Sequence, residues 1–388
     1  MGSIFFGIYI RRAATPFCNG DTMLTEVTLE DIKPIAIGAG ILGTGGGGSP
    51  YLDSLHLRNV LRESGSQMVM NPDDLADDAL IAVAGFIGAP TASIEKMPEG
   101  TELLRGIRLL EKHLGKRLDA IGIAEIGGGN SIGPIIAGKQ AGIPTLDGDG
   151  MGRAFPELQM ATFSFNGGVS VAPFAMVDAG DNSVLFPQTK SDVWSERLAR
   201  VQATSMGATA GLVCQVMTGK QFREHCVPYT LTLAHALGNK VLESQKTSDN
   251  IPEVIAEMLS GKVLFRGKLT DVNRRIVKGF ARGTLNMEGF GDAKKLFIEF
   301  QNEFLIAYLN GEVVATVPDL ICIVDLESGE PISTELLRYG MRVAVLAAPA
   351  PGGLKTETGL KVVGPKAFGY DVTFQPLSGE SIGIPLRQ

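Results

Sequence analysis

An α/β fold is predicted: an N-terminal α/β domain on a parallel sheet, then a C-terminal β-rich α+β domain. Three observations carry this. From residue 80 short apolar strands alternate with helical segments, the pattern of a parallel sheet with helices on its faces. The strands there run into glycine-rich loops. After residue 190 strands dominate, with Asn310-Gly311 as a hairpin turn between two apolar runs. The divisions are a 1–24 extension, 25–190 and 191–388.

Thr28-Leu29-Glu30-Asp31 has the spacing of a capping box with Asp in place of Glu. Leu29, Ile32, Ile35, Ala36, Ala39 and Leu42 follow at helical spacing. That helix ends in Gly43-Thr44-Gly45-Gly46-Gly47-Gly48-Ser49, and a second starts at Pro50 and runs to Ser64. A strand is expected at 66–70 and another at 80–84, the latter followed by a loop from Gly85. A helix is expected over 101–113, then a strand over 120–124 ending in Glu125-Ile126-Gly127-Gly128-Gly129-Asn130. A short helix, 131–141, leads to a strand at 143–146 and to Asp147-Gly148-Asp149-Gly150-Met151-Gly152-Arg153. Ligands in such sheets bind beyond the carboxyl ends of the strands, where these loops fall.

Helices are expected over 192–210, 231–242 and 252–260. Strands are expected at 304–309, 312–317, 320–325 and 342–346.

Composition narrows the function. Lys and Arg number 35 against 42 Asp and Glu, a net charge of −7, without the basic footprint of a nucleic-acid binder. Four cysteines, with no CxxC, make no disulfide framework and suit a reducing, cytoplasmic setting. The four histidines lack zinc-motif spacing, and no apolar run has the length of a membrane span. Residues 1–10 are apolar and precede Arg11-Arg12, the reverse of a signal peptide. They read as an extension, with an organellar presequence as the alternative.

Gly38-Ala39-Gly40-Ile41-Leu42-Gly43 matches GxGxxG, but a helix rather than a strand precedes it, so it is not read as a dinucleotide site. Thr44, Gly45, Gly46, Gly47 and Gly48 are candidate substrate-binding residues. Glycines let backbone N–H groups converge on developing negative charge. Asn130 joins them. Asp147 and Asp149, two residues apart, can split into acid and base or share a cation. With Glu125 and Arg153 they form the candidate catalytic set, against the alternative of Asx-turns and helix caps. No cofactor is predicted; a divalent metal would use Asp147, Asp149 and Glu125. His225-Cys226 reads as structural. Gln301-Asn302-Glu303 lies between two strands, where it either lends amides to a site or forms a solvated turn. Lys268, Asp271, Arg274 and Arg275 read as a surface ion-pair cluster.

The runs 42–51, 125–131 and 147–160, with Phe280-Ala281-Arg282-Gly283, Phe300-Gln301-Asn302-Glu303, Val317-Pro318-Asp319 and 364–371, resemble the S-methyl thiohydantoin desulfurase family over residues 25–375. The resemblance implies hydrolysis of a C–S bond on a thiohydantoin-like ring, with release of sulfide or a thiol. It also implies association with hydantoinase/oxoprolinase-type proteins. The alternative is a non-catalytic partner subunit of such an enzyme. The expected partners are a small cyclic amide or thioamide substrate and a second copy of the chain, with no nucleic acid and no membrane.

Overall fold

The computed structural model describes residues 23–89, 95–247, 249–291 and 293–377. Residues 1–22 of the expected extension lie outside them. The first sheet is mixed. Its strands are β1 (Glu26–Val27), β2 (Gln67–Met70), β3 (Leu80–Gly88), β4 (Ala120–Ile123), β5 (Thr145–Asp149), β6 (Phe174–Val177), β7 (Ser183–Phe186), β8 (Thr209–Thr218) and β9 (Val227–Pro228). They lie in the order β1-β2-β5-β4-β3-β8-β6-β7, with β9 paired to β5. The centre, β2-β5-β4-β3, is parallel, and Ile121 stands opposite Thr145. The other ladders are antiparallel.

The helices are α1 (Ile32–Leu42), α2 (Pro50–Ser64), α3 (Glu102–Leu114), α4 (Gly133–Ala141), α5 (Thr162–Phe165), α6 (Asp192–Ser205), α7 (Gly219–His225), α8 (Thr230–Thr247), α9 (Ile251–Met258) and α10 (Glu357–Val363). Ser49 caps α2 by accepting from Tyr51 N, with Pro50 in the first turn, where a missing N–H costs nothing. α3 buries Leu103, Ile107 and Leu110 on one face, as its 3.6-residue period requires.

Three expectations need correction. Gly85–Gly88, expected as a loop, continues β3 and pairs with β8. The helix from 192 stops at Ser205 rather than 210, because Gly207 (φ +84°) and Ala208 (φ +68°) turn the chain into β8. The first sheet therefore takes two strands, β8 and β9, from beyond residue 190.

The second sheet is antiparallel throughout: β10 (Lys262–Val277), β11 (Phe280–Gly289), β12 (Lys295–Gln301), β13 (Glu303–Leu309), β14 (Glu312–Thr316), β15 (Leu320–Asp325) and β16 (Arg342–Ala348). Its order is β14-β13-β12-β11-β10-β16-β15. Asn310 (φ +52°) and Gly311 (φ +90°) make the expected tight turn. The expected cluster of Lys268, Asp271, Arg274 and Arg275 does not form as ion pairs. Arg274 instead donates to the carbonyls of Thr334 and Leu337, and Lys268 lies over the Tyr339 ring.

Strand alternation in β15 joins the two halves. Leu320, Cys322 and Val324 pack into the core around the first sheet, and Ile321 and Ile323 into the core of the second. The first core also depends on α1 crossing α8 at bare backbone. A Cβ on Gly38 would stand 1.8 Å from Ala234 O, and one on Gly238 would stand 1.8 Å from Pro34 O. The first glycine of the GxGxxG match is thus a helix crossing. Gly38→Ala is expected to lower stability by about 1–3 kcal/mol, the usual cost of overpacking. Urea unfolding measures it; a wild-type midpoint would show that the helices can separate freely.

Candidate active site

Two glycine-rich loops meet at the carboxyl end of the parallel strands. Gly129 N donates to Gly48 O and Asn130 N to Gly47 O, both at 3.2 Å. A Cβ on Gly47 would lie 2.2 Å from Gly127 O, and one on Gly128 would lie 2.0 Å from Gly48 O. Gly47 (φ +77°) and Gly48 (φ +79°) also hold the left-handed backbone that glycine accepts at little cost. The first half of the 43–48 loop docks on the second sheet. Thr44 O accepts from Phe304 N at 2.9 Å, and Gly45 O accepts from Thr334 N at 2.9 Å.

The interlock leaves two adjoining cavities. A recess of about 110 Å³ is lined by Glu125, Asn130, Glu157, Arg200, Asn302 and Glu303. A larger chamber of about 380 Å³ is walled by Tyr51, Leu52, Met97 and Pro98, with Asp53 and Glu102 as its acidic groups. Gly47, Gly48, Phe86, Asn130 and Thr209 border both. Among the described residues, the N–H groups of Gly47 and Gly48 donate to no acceptor.

Asn130 ties the recess to the sheet. Its Oδ1 accepts from Phe86 N at 2.6 Å, and its Nδ2 donates to Phe86 O at 3.2 Å and to Glu125 Oε1 at 2.6 Å. Phe155 N donates to the other Glu125 oxygen at 3.2 Å. Burial pushes the Glu125 carboxyl up to about 7, while Asn130 and Phe155 pull toward the charged form. Glu303 enters from the second sheet because Asn302, left-handed at φ +58°, reverses the chain in one residue. Asn302 is pinned there by Ala281, whose N–H it accepts at 2.8 Å and to whose carbonyl it donates at 2.7 Å. Burial first, then the neighbouring Glu125, pushes Glu303 well above the usual carboxylate range. Its Oε2 meets no hydrogen-bond partner. Arg200 brings a cation, fixed by Glu196 at 2.8 Å and by the Pro156 carbonyl at 2.9 Å, against the Phe280 ring.

The structure does not bring all the candidate residues to one cavity. Of the candidates, Gly47, Gly48, Glu125 and Asn130 reach the cavities. Thr44, Gly45, Gly46, Asp147, Asp149 and Arg153 are absent from both walls. Asp147 accepts from Leu231 N (2.9 Å), Thr232 N (3.1 Å) and Thr232 Oγ1 (2.5 Å), so it holds the start of α8. Asp149 accepts from Ile126 N, Met151 N and Gly152 N at 2.9–3.1 Å and shapes its own loop. The Asx-turn and cap alternative therefore describes both aspartates. Arg153 is fully buried. Asp147, Asp149 and Glu125 do not converge as a ligand set. Their oxygens face N–H and O–H donors, and among the described residues no group of three His, Cys, Asp or Glu is arranged to hold a metal ion. Burial, then the neighbouring Asp149 and Asp147, pushes the Cys226 thiol far up, toward its neutral form. Arg200 was not singled out from the sequence, and Glu303 only within the 301–303 segment, with no role given to its carboxyl. The available signal was an acid, Glu303, at the head of the otherwise apolar run Phe304–Leu309.

The S-Me-THD-like N-terminal domain matches residues 30–188, and the S-Me-THD-like C-terminal domain matches residues 190–377. The chain belongs to the S-Me-THD-like family. A solved structure of a protein from Chromobacterium violaceum shares its fold, with a TM-score of 0.77 and 24% identity over 91% of this chain and 100% of that one. No curated protein matches. Among the described residues of this S-Me-THD-like chain, no helix is long and apolar enough to cross a membrane.

The buried acids make stability depend on pH in an unusual sense. Burial holds Glu125 and Asp149 up to about 7 and Asp147 to about 6, against about 4 in an unfolded chain. The folded state therefore binds more protons between pH 4 and 7. Its stability rises as pH falls through that window and is lost as pH climbs to 7. The urea midpoint is expected to be higher at pH 5.5 than at pH 8, with a smaller difference in Asp149→Asn. Equal midpoints in the wild type would contradict the burial cost.

Proposed function

We propose that the chain hydrolyses the exocyclic C–S bond of an S-alkyl thiohydantoin-like ring, with Glu125 as base and Glu303 as acid. The observation that carries this is the pair itself. Two buried carboxyls from different domains share one recess, one with donors on both oxygens and one with an oxygen unpartnered. Environments that split two carboxyls in this way yield an acid and a base near neutral pH. The family supports a thiohydantoin-related substrate.

The steps balance. The Glu125 carboxylate takes a proton from water as the oxygen attacks the ring carbon that bears sulfur. Glu303 gives its proton to the ring nitrogen as the C=N bond becomes C–N. The tetrahedral centre then loses its hydroxyl proton to Glu303, forms C=O, and breaks the C–S bond. The leaving thiolate takes the proton from Glu125. Products are a cyclic amide and a thiol, and both carboxyls return to their starting states. A thiolate leaves readily, so the demand falls on water activation and on donors for developing charge. The free N–H groups of Gly47 and Gly48 suit the second task. The chamber takes the ring's substituent; its volume lies within the range of small-molecule sites.

Thiol release from an S-methyl thiohydantoin by the purified chain tests this. Glu125→Gln and Glu303→Gln are each expected to cost a factor of about 10² to 10⁴ in rate while melting cooperatively. Activity should also fall below about pH 7, where Glu125 gains its proton. Full activity in both variants would refute the assignment. Turnover only after addition of a hydantoinase-type protein, indifferent to both substitutions, would make the chain a non-catalytic partner.

A further inference from the structure

Arg153 is fully buried, and its five N–H bonds are all used within the protein. Nε donates to Ala154 O at 3.1 Å. Nη1 donates to Pro318 O at 3.1 Å and to Asp319 O at 2.9 Å. Nη2 donates to Thr44 Oγ1 at 2.8 Å and to Phe304 O at 3.3 Å. A guanidinium has five donors. None remains for a substrate, so Arg153 does not contact one directly.

All five acceptors are neutral oxygens, and among the described residues Arg153 makes no ion pair. A buried cation held by dipoles alone is costly, and it demands a counter-charge nearby. The ionisable groups that face it are Glu303 on β13, Cys322 on β15, Asp319 before β15, and Glu125 after β4. Burial holds the Cys322 thiol neutral, up to about 12. Asp319, held by Ala350 N and Leu377 N at 2.8 Å, has its own cation in Lys355. Glu125 and Glu303 remain, and both also face Arg200. Two ionised carboxylates in one small recess repel. Two protonated ones would leave Arg153 without a counter-charge, since Arg200 already pairs with Glu196 at 2.8 Å. The arrangement is balanced when the pair holds one proton.

We propose that Arg153 is a positioning residue whose buried charge keeps the Glu125–Glu303 pair holding one proton rather than two. Its bonds to Thr44 and Phe304 also fix the glycine loop against the strand that carries Glu303. The inference rests on the acid–base reading above. Without the charge, the second proton binds the pair more readily and the base is lost at neutral pH.

The test is the pH profile of kcat for thiol release by full-length Arg153→Met and Arg153→Lys. In the Met variant the acid limb is expected to move up by about one unit. That is roughly a fivefold loss at pH 7, recovered above pH 8.5. The Lys variant keeps the charge and is expected to keep the limb in place while losing stability. A purely structural role would depress kcat equally at every pH; an unmoved limb in a folded Met variant therefore overturns the inference. Infrared spectra at pH 7 test it without any Arg153 variant. One protonated-carboxyl band is expected to vanish in Glu303→Gln and persist in Glu125→Gln. Loss of such a band in both variants, or in neither, also overturns it. Inactive Glu125→Gln and Glu303→Gln enzymes beside an unmoved limb would sink only this inference; two fully active ones would sink the acid–base reading beneath it.

Discussion

The contact between bare backbones at Gly47–Gly48 and Gly127–Gly129 is the constraint on which the site depends. The two chains pass so closely that a Cβ at Gly47 or Gly128 would stand 2.2 Å or less from a carbonyl oxygen. That approach brings the end of β4 to the start of α2. It places Gly47 and Gly48 on the walls of both cavities and seats Asn130 where its amide pairs with Phe86 as a strand would. Glu125 then has a fixed donor on each oxygen. The high glycine content of these loops is therefore a matter of packing before it is a matter of chemistry.

The same principle explains where charge sits. Asp147 and Asp149 of β5 and Arg153 just after it are the most noticeable charged residues of that stretch, and all are buried with their hydrogen bonds met by backbone or hydroxyl groups. Burial without such partners costs several kcal/mol, so a charged group deep in a loop is a scaffold element unless something is left unpaired. Glu303 Oε2 is such an unpaired atom, and Glu303 lines the recess.

Much of the fold was legible because periodicity records burial. The βαβ alternation, the parallel neighbours at 120–123 and 145–149, the Asn310-Gly311 turn and the α2 start all carry local signals. The misread stretches lack one. Gly85–Gly88 reads as a loop from composition but becomes strand because β8, more than 120 residues later, supplies its ladder. The site was half legible for the same reason. Glu125 and Asn130 share one loop, so their spacing shows. Glu303 reaches them only through the docking of a second sheet, and the single-residue reversal at Asn302 has no sequence rule beyond the tolerance of Asn for the left-handed region.

That division of the proposed pair between two domains has a chemical consequence. Within one rigid loop, two acids sharing one recess would be hard to bury together, since each raises the cost of the other. Here each carboxyl arrives on its own scaffold, Glu125 held by Asn130 and Phe155 and Glu303 by the Asn302 reversal. The sheets are then clamped by hydrogen bonds that cross between them: Thr44 to Phe304, Gly45 to Thr334, and Arg153 to Phe304, Pro318 and Asp319. The energy that holds the two acids together comes from these cross-sheet bonds. Both sides can therefore remain rigid while the recess keeps an unmet oxygen and two unmet amides for a ligand.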